Sequence, residues 1–351
     1  MENIAHTVND QVLQDFVHEL FAKTGMPDED ALICAECLVQ TNLWGIDSHG
    51  VLRVPIYIKR LLSGAMNKAP RITSVNDIGA LEILDGDDGC GYIVGRTAMA
   101  KALDKAEISG IGAVGAMRSN HFGAAALYTK MAVEKGMIGI AMTNVVPNVV
   151  APGGSKPIVG NNPFAVSVPT FGDFPFTLDI SLSNVAGGKL LLAMKKGEKI
   201  PLDWATDKDG RPTDDPEKGF AGFLLPVGGH KGYGLALVVD LLCGVLTGGA
   251  FLHGLKGMYK YPDDPSLTGH FFIAINPLAL MDEAAFKARM DDFYQQLKAS
   301  PMWDTSQEML MPGEIEYRTE QKRRQEGITL PADLRADLNK LAEELGMDSR
   351  L

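Results

Sequence analysis

The sequence predicts an α/β fold in which a central sheet region lies between helical segments at the two ends of the chain. In residues 1–70, apolar side chains recur at helical spacing. From about residue 71, short apolar runs alternate with glycine-rich turns and helical stretches, which is typical of a layered α/β domain. Beyond residue 280 the pattern is again helical and rich in charge. We therefore predict three parts, residues 1–70, 71–280 and 281–351.

The composition is that of an ordinary globular protein. The chain has 351 residues, of which 46% are hydrophobic and 22% charged, and this length allows a large core. A net charge of −11 argues against nucleic acid and anionic membranes as partners. The N-terminal residues lack the basic start and apolar core of a signal peptide, and the longest apolar stretch, 233–246, is too short to span a membrane. We expect a soluble, cytoplasmic protein.

Three helices are predicted in the N-terminal part. Thr7 is expected to cap the first helix and Gly25 to end it. The second helix follows Pro27 and runs to about Gly45, and the third covers about 54–62.

The central part is predicted to alternate between strands and helices. The predicted strands are 80–85, 112–116, 137–144, 164–168, 176–180 and 271–275. The predicted helices lie at about 98–108, at 124–135 and from the glycine-rich turn 228–234 to about 246. The polar segment 203–222 is expected to be a surface loop. In the C-terminal part, helices are predicted at 283–298 and 331–346.

The four cysteines are too few and too scattered for a disulfide framework. Cys34 and Cys37 have the spacing of a redox or zinc pair, but they lie inside the second predicted helix and no second pair exists. Buried structural cysteines are therefore the favoured interpretation.

The run from Gly45 to Arg53 carries the most informative side chains. Ser48 and His49 supply a hydroxyl and an imidazole, and Arg53 supplies a planar guanidinium that matches a carboxylate. Imidazole is suited to moving a proton near neutral pH. The run predicts a site that holds an acid by its carboxylate, although an ordinary helix-to-loop turn has the same pattern.

A second imidazole, His121, lies between a predicted strand and a predicted helix, where α/β sheets place ligand-binding groups. A histidine that only bridges the turn is the alternative interpretation. The turn 228–234, with Lys231, resembles an anion site at a helix start. It lacks P-loop spacing, and no GxGxxG motif of a Rossmann fold is present.

Other site classes find less support in the residues. Gly160-Asn161-Asn162-Pro163 suits a polar ligand or simple turn chemistry. The seven histidines show no HxH or HxxxH pair, so we predict no metal site. A hydrolase is disfavoured because no Gly-x-Ser-x-Gly elbow follows a strand.

Taken together, these segments resemble the malate/L-lactate dehydrogenase family, whose cofactor domain is not a Rossmann fold. Its members include sulfolactate and ureidoglycolate dehydrogenases, diketogulonate reductase and cyclic imino-acid reductases. The resemblance covers nearly the whole chain. The matching segments are Asp47-Ser48-His49-Gly50 with Arg53, Asn120-His121-Phe122-Gly123, Pro152-Gly153-Gly154, Gly160-Asn161-Asn162-Pro163, Asp179-Ile180-Ser181, the region 200–216, 225–234 and Pro312-Gly313-Glu314.

The resemblance implies an L-sulfolactate dehydrogenase-like fold and hydride transfer between a nicotinamide and C2 of a 2-hydroxy or 2-oxo acid, without a metal. It implies that His49 and His121 are the catalytic imidazoles, with His49 as the general acid or base at the substrate oxygen, although members of the family differ over which histidine transfers the proton. Ser48 and Arg53 would bind the substrate, with Arg53 on its carboxylate. A homodimer is implied as well. NAD or NADP would lie against Asp179, Ile180, Ser181, His230, Lys231, Gly313 and Glu314.

The chain departs from the family pattern after the predicted strand 176–180. Many relatives carry Ala-Thr-Ser there, whereas this chain has Ser181-Leu182-Ser183-Asn184, which leaves the substrate open. Two alternatives to a hydroxy-acid dehydrogenase remain. One is a reductase of a cyclic C=N bond on the same scaffold, and the other is a ligand-binding protein that has lost activity.

Overall fold

The computed structural model describes residues 6–351. The remaining N-terminal residues, 1–5, which entered the signal-peptide argument, lie outside the described residues. The α-helices are α1 Asp10–Lys23, α2 Asp28–Leu43, α3 Val54–Ser63, α4 Gly91–Ser109, α5 Ala126–Glu134, α6 Gly187–Lys196, α7 Pro216–Ala221, α8 His230–Asp240, α9 Glu283–Lys298, α10 Glu314–Glu326 and α11 Ala332–Glu344. The strands are β1 His6–Val8, β2 Thr73–Ile78, β3 Leu81–Gly89, β4 Ile111–Ser119, β5 Ile138–Thr143, β6 Val149–Val150, β7 Pro157–Val159, β8 Phe164–Val168, β9 Phe176–Ile180, β10 Ala205–Thr206, β11 Phe223–Leu224, β12 Thr268–Ile275 and β13 Ile328–Leu330.

The centre of the molecule is a seven-stranded sheet with the order β2-β3-β4-β12-β5-β8-β9. Only the β3–β4 pair is parallel, and every other neighbouring pair in this sheet is antiparallel. A Rossmann domain is built on a mostly parallel sheet, so this topology confirms the expected non-Rossmann α/β fold. A smaller sheet has the order β10-β11-β6-β7.

Two apolar cores cover the two faces of the central sheet. Along β4 and β12 successive side chains alternate between the cores, as the pleat of a strand requires. Val114 and Phe272 belong to the larger core, which also contains α4, α5 and the terminal helices. Ala113 and Phe271 belong to the smaller core, which contains α6 and α8.

The two ends of the chain pack together. β1 pairs with β13 in an antiparallel two-stranded sheet, in which Val8 lies opposite Ile328. Both side chains are buried in the larger core. This contact brings the helices at the C-terminus next to the N-terminal segment that carries Ser48 and His49.

Several predicted elements have the bounds that the structure shows, and others need correction. The predicted 164–168, 176–180 and 283–298 coincide with β8, β9 and α9. The prediction that Thr7 caps α1 is wrong, because Thr7 lies in β1 and the Asn9 side chain accepts from the backbone N–H of Gln11 at 2.9 Å. The helix predicted at 98–108 begins already at Gly91.

The polar segment 203–222 is more ordered than a surface loop. It contains the short strand β10, whose residues Ala205 and Thr206 are buried, and the helix α7. The glycine-rich turn is also shorter than predicted, since α8 starts at His230 and only Gly228 and Gly229 precede it with positive φ. No helix within residues 6–351 has both the length and the apolar character needed to cross a bilayer.

Candidate active site

The segment that carries Ser48, His49 and Arg53 is fastened to the end of α2. It consists of two short 3₁₀ turns, Asp47–His49 and Val51–Arg53. The Asn42 side chain, in the last turn of α2, donates to the Asp47 carboxylate at 2.6 Å and accepts from the backbone N–H of Val51 at 2.8 Å. A Cβ on Gly50 would lie 2.1 Å from Asn42 Oδ1. The glycine of the motif is therefore required by this close approach.

A second contact to this segment comes from α10. Arg323 forms two charge-assisted hydrogen bonds with the Asp47 carboxylate, at 2.6 and 2.9 Å. Its guanidinium also donates to the backbone carbonyl of Asn42. The fork geometry of arginine suits such a paired contact, so the turn before Ser48 is held from both sides.

His49 and His121, the two imidazoles that the family resemblance implies for one site, lie face to face. Their ring centroids are 5.6 Å apart and the ring planes differ by 24°. Ser48 Oγ lies 2.9 Å from His49 Nδ1. The backbone before His121 passes over the start of α4, where a Cβ on Gly91 would lie 2.4 Å from the carbonyl oxygens of Asn120 and His121.

The contacts of His121 define its tautomer. The backbone N–H of Gly123 donates to His121 Nδ1 at 3.4 Å, so this nitrogen is an acceptor. The Tyr57 hydroxyl, 2.5 Å from the same nitrogen, then donates to it as well. The neutral ring therefore carries its proton on Nε2, which is the other nitrogen of the imidazole.

Burial favours the neutral form of each of these groups. Burial, followed by the nearby Arg53 charge, lowers the pKa of His49 to about 4. Burial, followed by the charges of His49 and Arg53, also holds the pKa of His121 well below its usual range. The pKa of the buried Tyr57 phenol is raised. Without substrate, both imidazoles are therefore neutral at neutral pH.

Arg53 is held in place while part of its guanidinium stays open. Its Nε donates to the Ser48 carbonyl at 2.7 Å, and its Nη1 donates to the Tyr259 hydroxyl. The guanidinium carbon lies 5.5 Å from the centre of the Tyr259 ring. Within residues 6–351, Nη2 of Arg53 makes no hydrogen bond, so a donor remains for an anionic ligand.

A cavity of about 380 Å³ lies next to this site and contains two of the predicted cofactor residues, Asp179 and Gly313. Its walls come from α5, β9, α10, the turn after α2 and the turn before α10. Asp179 Oδ2 accepts from the backbone N–H of Ala126, near the start of α5, at 2.9 Å. Burial raises the pKa of Asp179 to about 6. The other lining residues are Trp44, Ile46, Ala126, Lys130, Phe174, Pro175, Thr177, Leu178, Met311, Pro312, Ile315, Glu316, Tyr317 and Glu320.

The carboxylate of Glu314 is turned into the protein. It accepts from Lys298 at 2.6 Å, from Arg318 at 2.6 Å and from the backbone N–H of Met311 at 3.0 Å. These contacts fix the turn at Gly313, which has a φ of +92° and begins α10. Glu314 therefore shapes the wall of the cavity instead of presenting its charge to it.

The remaining predicted cofactor residues lie outside this cavity, at the end of β9 and at the start of α8. Ile180 packs against the smaller core, and Ser181 Oγ lies 3.2 Å from Ser183 Oγ. His230 and Lys231 are exposed at the start of α8. The turn before them is joined to the residues that follow β9, because the Val227 N–H donates to the Leu182 carbonyl at 3.0 Å. None of these four predicted residues lines the cavity.

The structure adds site residues that the sequence did not predict. Tyr57 lies one helical turn after Arg53, so its i, i+4 spacing on α3 was an available signal. Tyr259 is distant in sequence and carried no signal.

The asparagine turn proves structural, since buried Asn162 accepts from the Val145 N–H at 2.8 Å and donates to the Ala236 carbonyl at 2.8 Å. Cys34 and Cys37 are free and buried, as predicted.

The family comparison agrees with the resemblance that the sequence motifs carry. The family model described as malate/L-lactate dehydrogenase matches residues 8–339. The chain belongs to this family. Within residues 6–351, no group of three or more His, Cys, Asp or Glu side chains is arranged to hold a metal ion.

Individual members are similar over nearly their whole length. Malate dehydrogenase from Pyrococcus abyssi is 40% identical over 354 residues, covering 99% of this chain and 96% of that protein. The solved structure of sulfolactate dehydrogenase from Methanocaldococcus jannaschii has a TM-score of 0.92 at 38% identity, covering 97% of this chain and 98% of that one. A delta1-piperideine-2-carboxylate reductase from Pseudomonas syringae has a TM-score of 0.85 at 29% identity, covering 97% and 100%.

Proposed function

We propose that this family member is an NAD(P)-dependent oxidoreductase that interconverts a 2-hydroxy acid and its 2-oxo acid. The observation that carries the proposal is the stacked pair His49 and His121 beside a partly open Arg53. This arrangement offers a carboxylate contact and a proton-transfer group within one small site. Relatives named malate and sulfolactate dehydrogenase support the same substrate class.

In this proposal, Arg53 binds the substrate carboxylate and the Ser48 hydroxyl lies beside it. A nicotinamide, when bound, would supply or accept the hydride at C2 of the acid. In oxidation, a neutral imidazole accepts the proton of the C2 hydroxyl as the hydride leaves, and in reduction the same imidazole returns a proton to the C2 oxygen, where negative charge develops. We assign this proton to His49, because His121 Nδ1 already accepts from Tyr57 and Gly123. His121 presents its Nε2–H to the same space.

The residues around the 380 Å³ cavity fit part of a dinucleotide. Its apolar wall, which includes Ile46 and Tyr317, suits a flat ring, and Asp179 offers an acceptor. Ile46 also joins the cavity to the substrate segment, since its carbonyl accepts from the His49 N–H at 2.9 Å. Ser181, His230 and Lys231 would contact a more distant part, where Lys231 offers a positive charge to phosphate.

The proposal extends to assembly, location and domain division. Leu235, Val238, Leu241, Val245 and Leu246 are each about half exposed on α8 and the turn that follows it. Such a continuous apolar face is typical of a subunit interface. We propose that two copies of the chain bury it in a cytoplasmic homodimer. Each chain in this proposal consists of the three parts 1–70, 71–280 and 281–351. Light scattering after size-exclusion chromatography should give twice the chain mass of 37.8 kDa. A concentration-independent monomer would contradict the dimer.

A substrate panel with both cofactors tests the activity. Oxaloacetate, pyruvate, sulfopyruvate and a cyclic imino acid are each mixed with NADH and with NADPH, and cofactor oxidation is followed by absorbance. We expect turnover of at least one 2-oxo acid. The piperideine-carboxylate reductase named above makes the imino acid the second candidate, and turnover of the imine alone would favour it. No turnover, together with unchanged NADH and NADPH fluorescence, would leave a ligand-binding protein.

A further inference from the structure

Arg60, on α3, is a fully buried arginine that the proposed chemistry does not use. Its exposure is 0%, and its guanidinium donates to five neutral acceptors. They are the carbonyls of Tyr261, Pro262 and Asp264, Ser266 Oγ and Asn120 Oδ1, at 2.9–3.2 Å. Within residues 6–351 it forms no salt bridge with a carboxylate.

A buried charge whose hydrogen bonds all go to neutral groups is a costly arrangement. Removing a guanidinium from water is offset only in part by hydrogen bonds to neutral groups. Arg60 Nε is also buried without a partner. An apolar side chain at this position would leave these five acceptors without their donor.

The partners of Arg60 belong to two parts of the chain, and each part contacts the proposed substrate site. Asn120 directly precedes His121, and its own amide donates to the carbonyls of Asp88 and Gly89 at 2.7 and 2.9 Å. Both the oxygen and the nitrogen of the Asn120 side-chain amide are therefore held by hydrogen bonds. Through Asn120, the guanidinium is connected to the backbone that orients the His121 ring.

The other partners belong to the segment 256–266, which carries Tyr259. This segment has little regular structure, and it is closed by the Lys256–Asp264 ion pair at 2.9 Å and by the Lys256 N–H to Ser266 carbonyl bond at 3.1 Å. Tyr259 itself is 62% exposed and contacts Arg53. The contacts of Arg60 with four residues of the segment therefore determine where the phenol meets the Arg53 guanidinium.

We propose that Arg60 is a positioning residue that aligns the two substrate-contacting elements, His121 through Asn120 and Arg53 through the segment 256–266 and Tyr259. The proposal rests on the proposed function for its kinetic part only. It assigns a role in substrate affinity to a side chain that touches neither substrate nor cofactor.

The first test is independent of activity. In Arg60→Lys, the ammonium keeps the charge but has three donors in place of the arginine fork. Hydrogen–deuterium exchange, read by mass spectrometry, should become faster by about tenfold or more in peptides covering 256–266 and 119–123. Peptides covering α10 should be unchanged. Unchanged exchange in 256–266 overturns the proposal whatever the enzyme turns over.

The second test separates positioning from general destabilisation. The control is Leu103→Ala, in the buried half of α4 away from the site. Each variant is assayed at the same number of degrees below its own Tm. For the 2-oxo acid that wild type turns over fastest, Arg60→Lys should raise KM about tenfold, with the cofactor Kd unchanged. The same kinetics in both variants would make Arg60 merely structural.

Two milder variants keep the test informative if Arg60→Lys folds poorly. Ser266→Ala removes one contact of Arg60, and Tyr259→Phe removes the hydroxyl that meets Arg53. Both should raise KM about two- to fivefold. In the double variant Arg60→Lys/Tyr259→Phe, the Tyr259→Phe change should add nothing further, because both changes act through the same contact between Tyr259 and Arg53. Fully additive effects would contradict a route through Tyr259.

Discussion

The substrate half and the cofactor half of the proposed site are built in opposite ways. In the substrate half, a few side chains touch one another directly, and burial lowers the pKa of His49 to about 4. In the cofactor half, a cavity of about 380 Å³ has carboxylates at its wall, and burial raises the pKa of Asp179 to about 6. Burial favours the neutral form in both halves.

The difference also lies in how the chain supplies the residues. Ser48, His49 and Arg53 come from one continuous segment, and one further loop adds His121. The predicted cofactor residues come from β9, α8 and α10, and only Asp179 and Gly313 line the cavity. A single change should therefore be severe in the substrate half and graded in the cofactor half.

The largest effect is expected at His49. In His49→Ala the proton donor to the C2 oxygen is lost, and kcat should fall roughly 10²- to 10⁴-fold. The cofactor Kd, measured by nicotinamide fluorescence, should change less than about twofold. His121→Ala should lower kcat less, because His121 is a contact of the proton-transfer group in this assignment.

His18→Ala is the matched control for these variants, since His18 lies on α1 and pairs with Asp28 away from the site. It should leave kcat unchanged. Near-normal turnover in His49→Ala, combined with a severe loss in His121→Ala, would move the proton-transfer role to His121.

The next effect is expected at Arg53. Hydrogen bonds to a charged group contribute about 1.5–3 kcal/mol, so Arg53→Met should raise KM for the acid roughly 10- to 150-fold. Arg53→Lys keeps the charge but loses the fork, so its KM should lie between wild type and Arg53→Met. The Kd of the cofactor, measured without acid, should stay the same in both. An equal rise in that Kd would show that the two halves are not separate.

How far the sequence predicts this molecule depends on the range of the contacts. β8, β9 and α9 were predicted with the bounds that they have, because hydrophobic periodicity and turn residues are local signals. The boundary errors at Thr7 and Gly91 arise where a tertiary contact decides the local structure. Thr7 pairs with Thr329 in β13, and Gly91 packs under the His121 backbone.

The site follows the same rule. The pairing of His49 with His121 was expected only because the chain resembles a family, since nothing local joins positions 49 and 121. Tyr259 meets Arg53 across 206 residues of the chain, and Arg60 meets Tyr261 across 201 residues. The inward-turned carboxylate of Glu314 was equally hidden, because its partners Lys298 and Arg318 are ordinary charges in the sequence.

In the cofactor half, a geometric change should have a smaller effect. Gly313 has a φ of +92°, and a Cβ there would lie 3.1 Å from Thr177 Cβ. A left-handed conformation costs a residue with a Cβ about 1–2 kcal/mol, so in Gly313→Ala the turn should move. The cofactor Kd should then rise roughly 5- to 30-fold, with little change in KM for the acid at saturating cofactor.

Gly79→Ala controls for the backbone penalty alone. Gly79 has a φ of +58° in the β2–β3 turn and open space around its Cβ position. It should lower Tm to a similar extent without changing the cofactor Kd. If both variants weaken the cofactor equally, the wall of the cavity at Gly313 has no particular role.

The smallest effect, and the sharpest contrast between the halves, is expected from pH. Oxidation of the hydroxy acid requires a neutral imidazole, and a pKa of about 4 leaves His49 neutral throughout pH 6 to 9. At saturating cofactor, kcat/KM for oxidation should therefore be flat over this range. A histidine with the ordinary pKa of about 6.5 would instead lose activity as the pH falls toward 6.

Asp179, by contrast, should titrate within the accessible range. Its pKa of about 6 makes it neutral below that pH and ionised above it. The ionised carboxylate attracts the positive ring of the oxidised cofactor, so the affinity for the oxidised form relative to the reduced form should rise as the pH passes 6, by less than about tenfold. Asp179→Asn should abolish this change and leave the flat oxidation profile intact. An inflection near pH 6 that persists in Asp179→Asn would mean that the titrating group lies in the substrate half, and the separation between the two halves would fail.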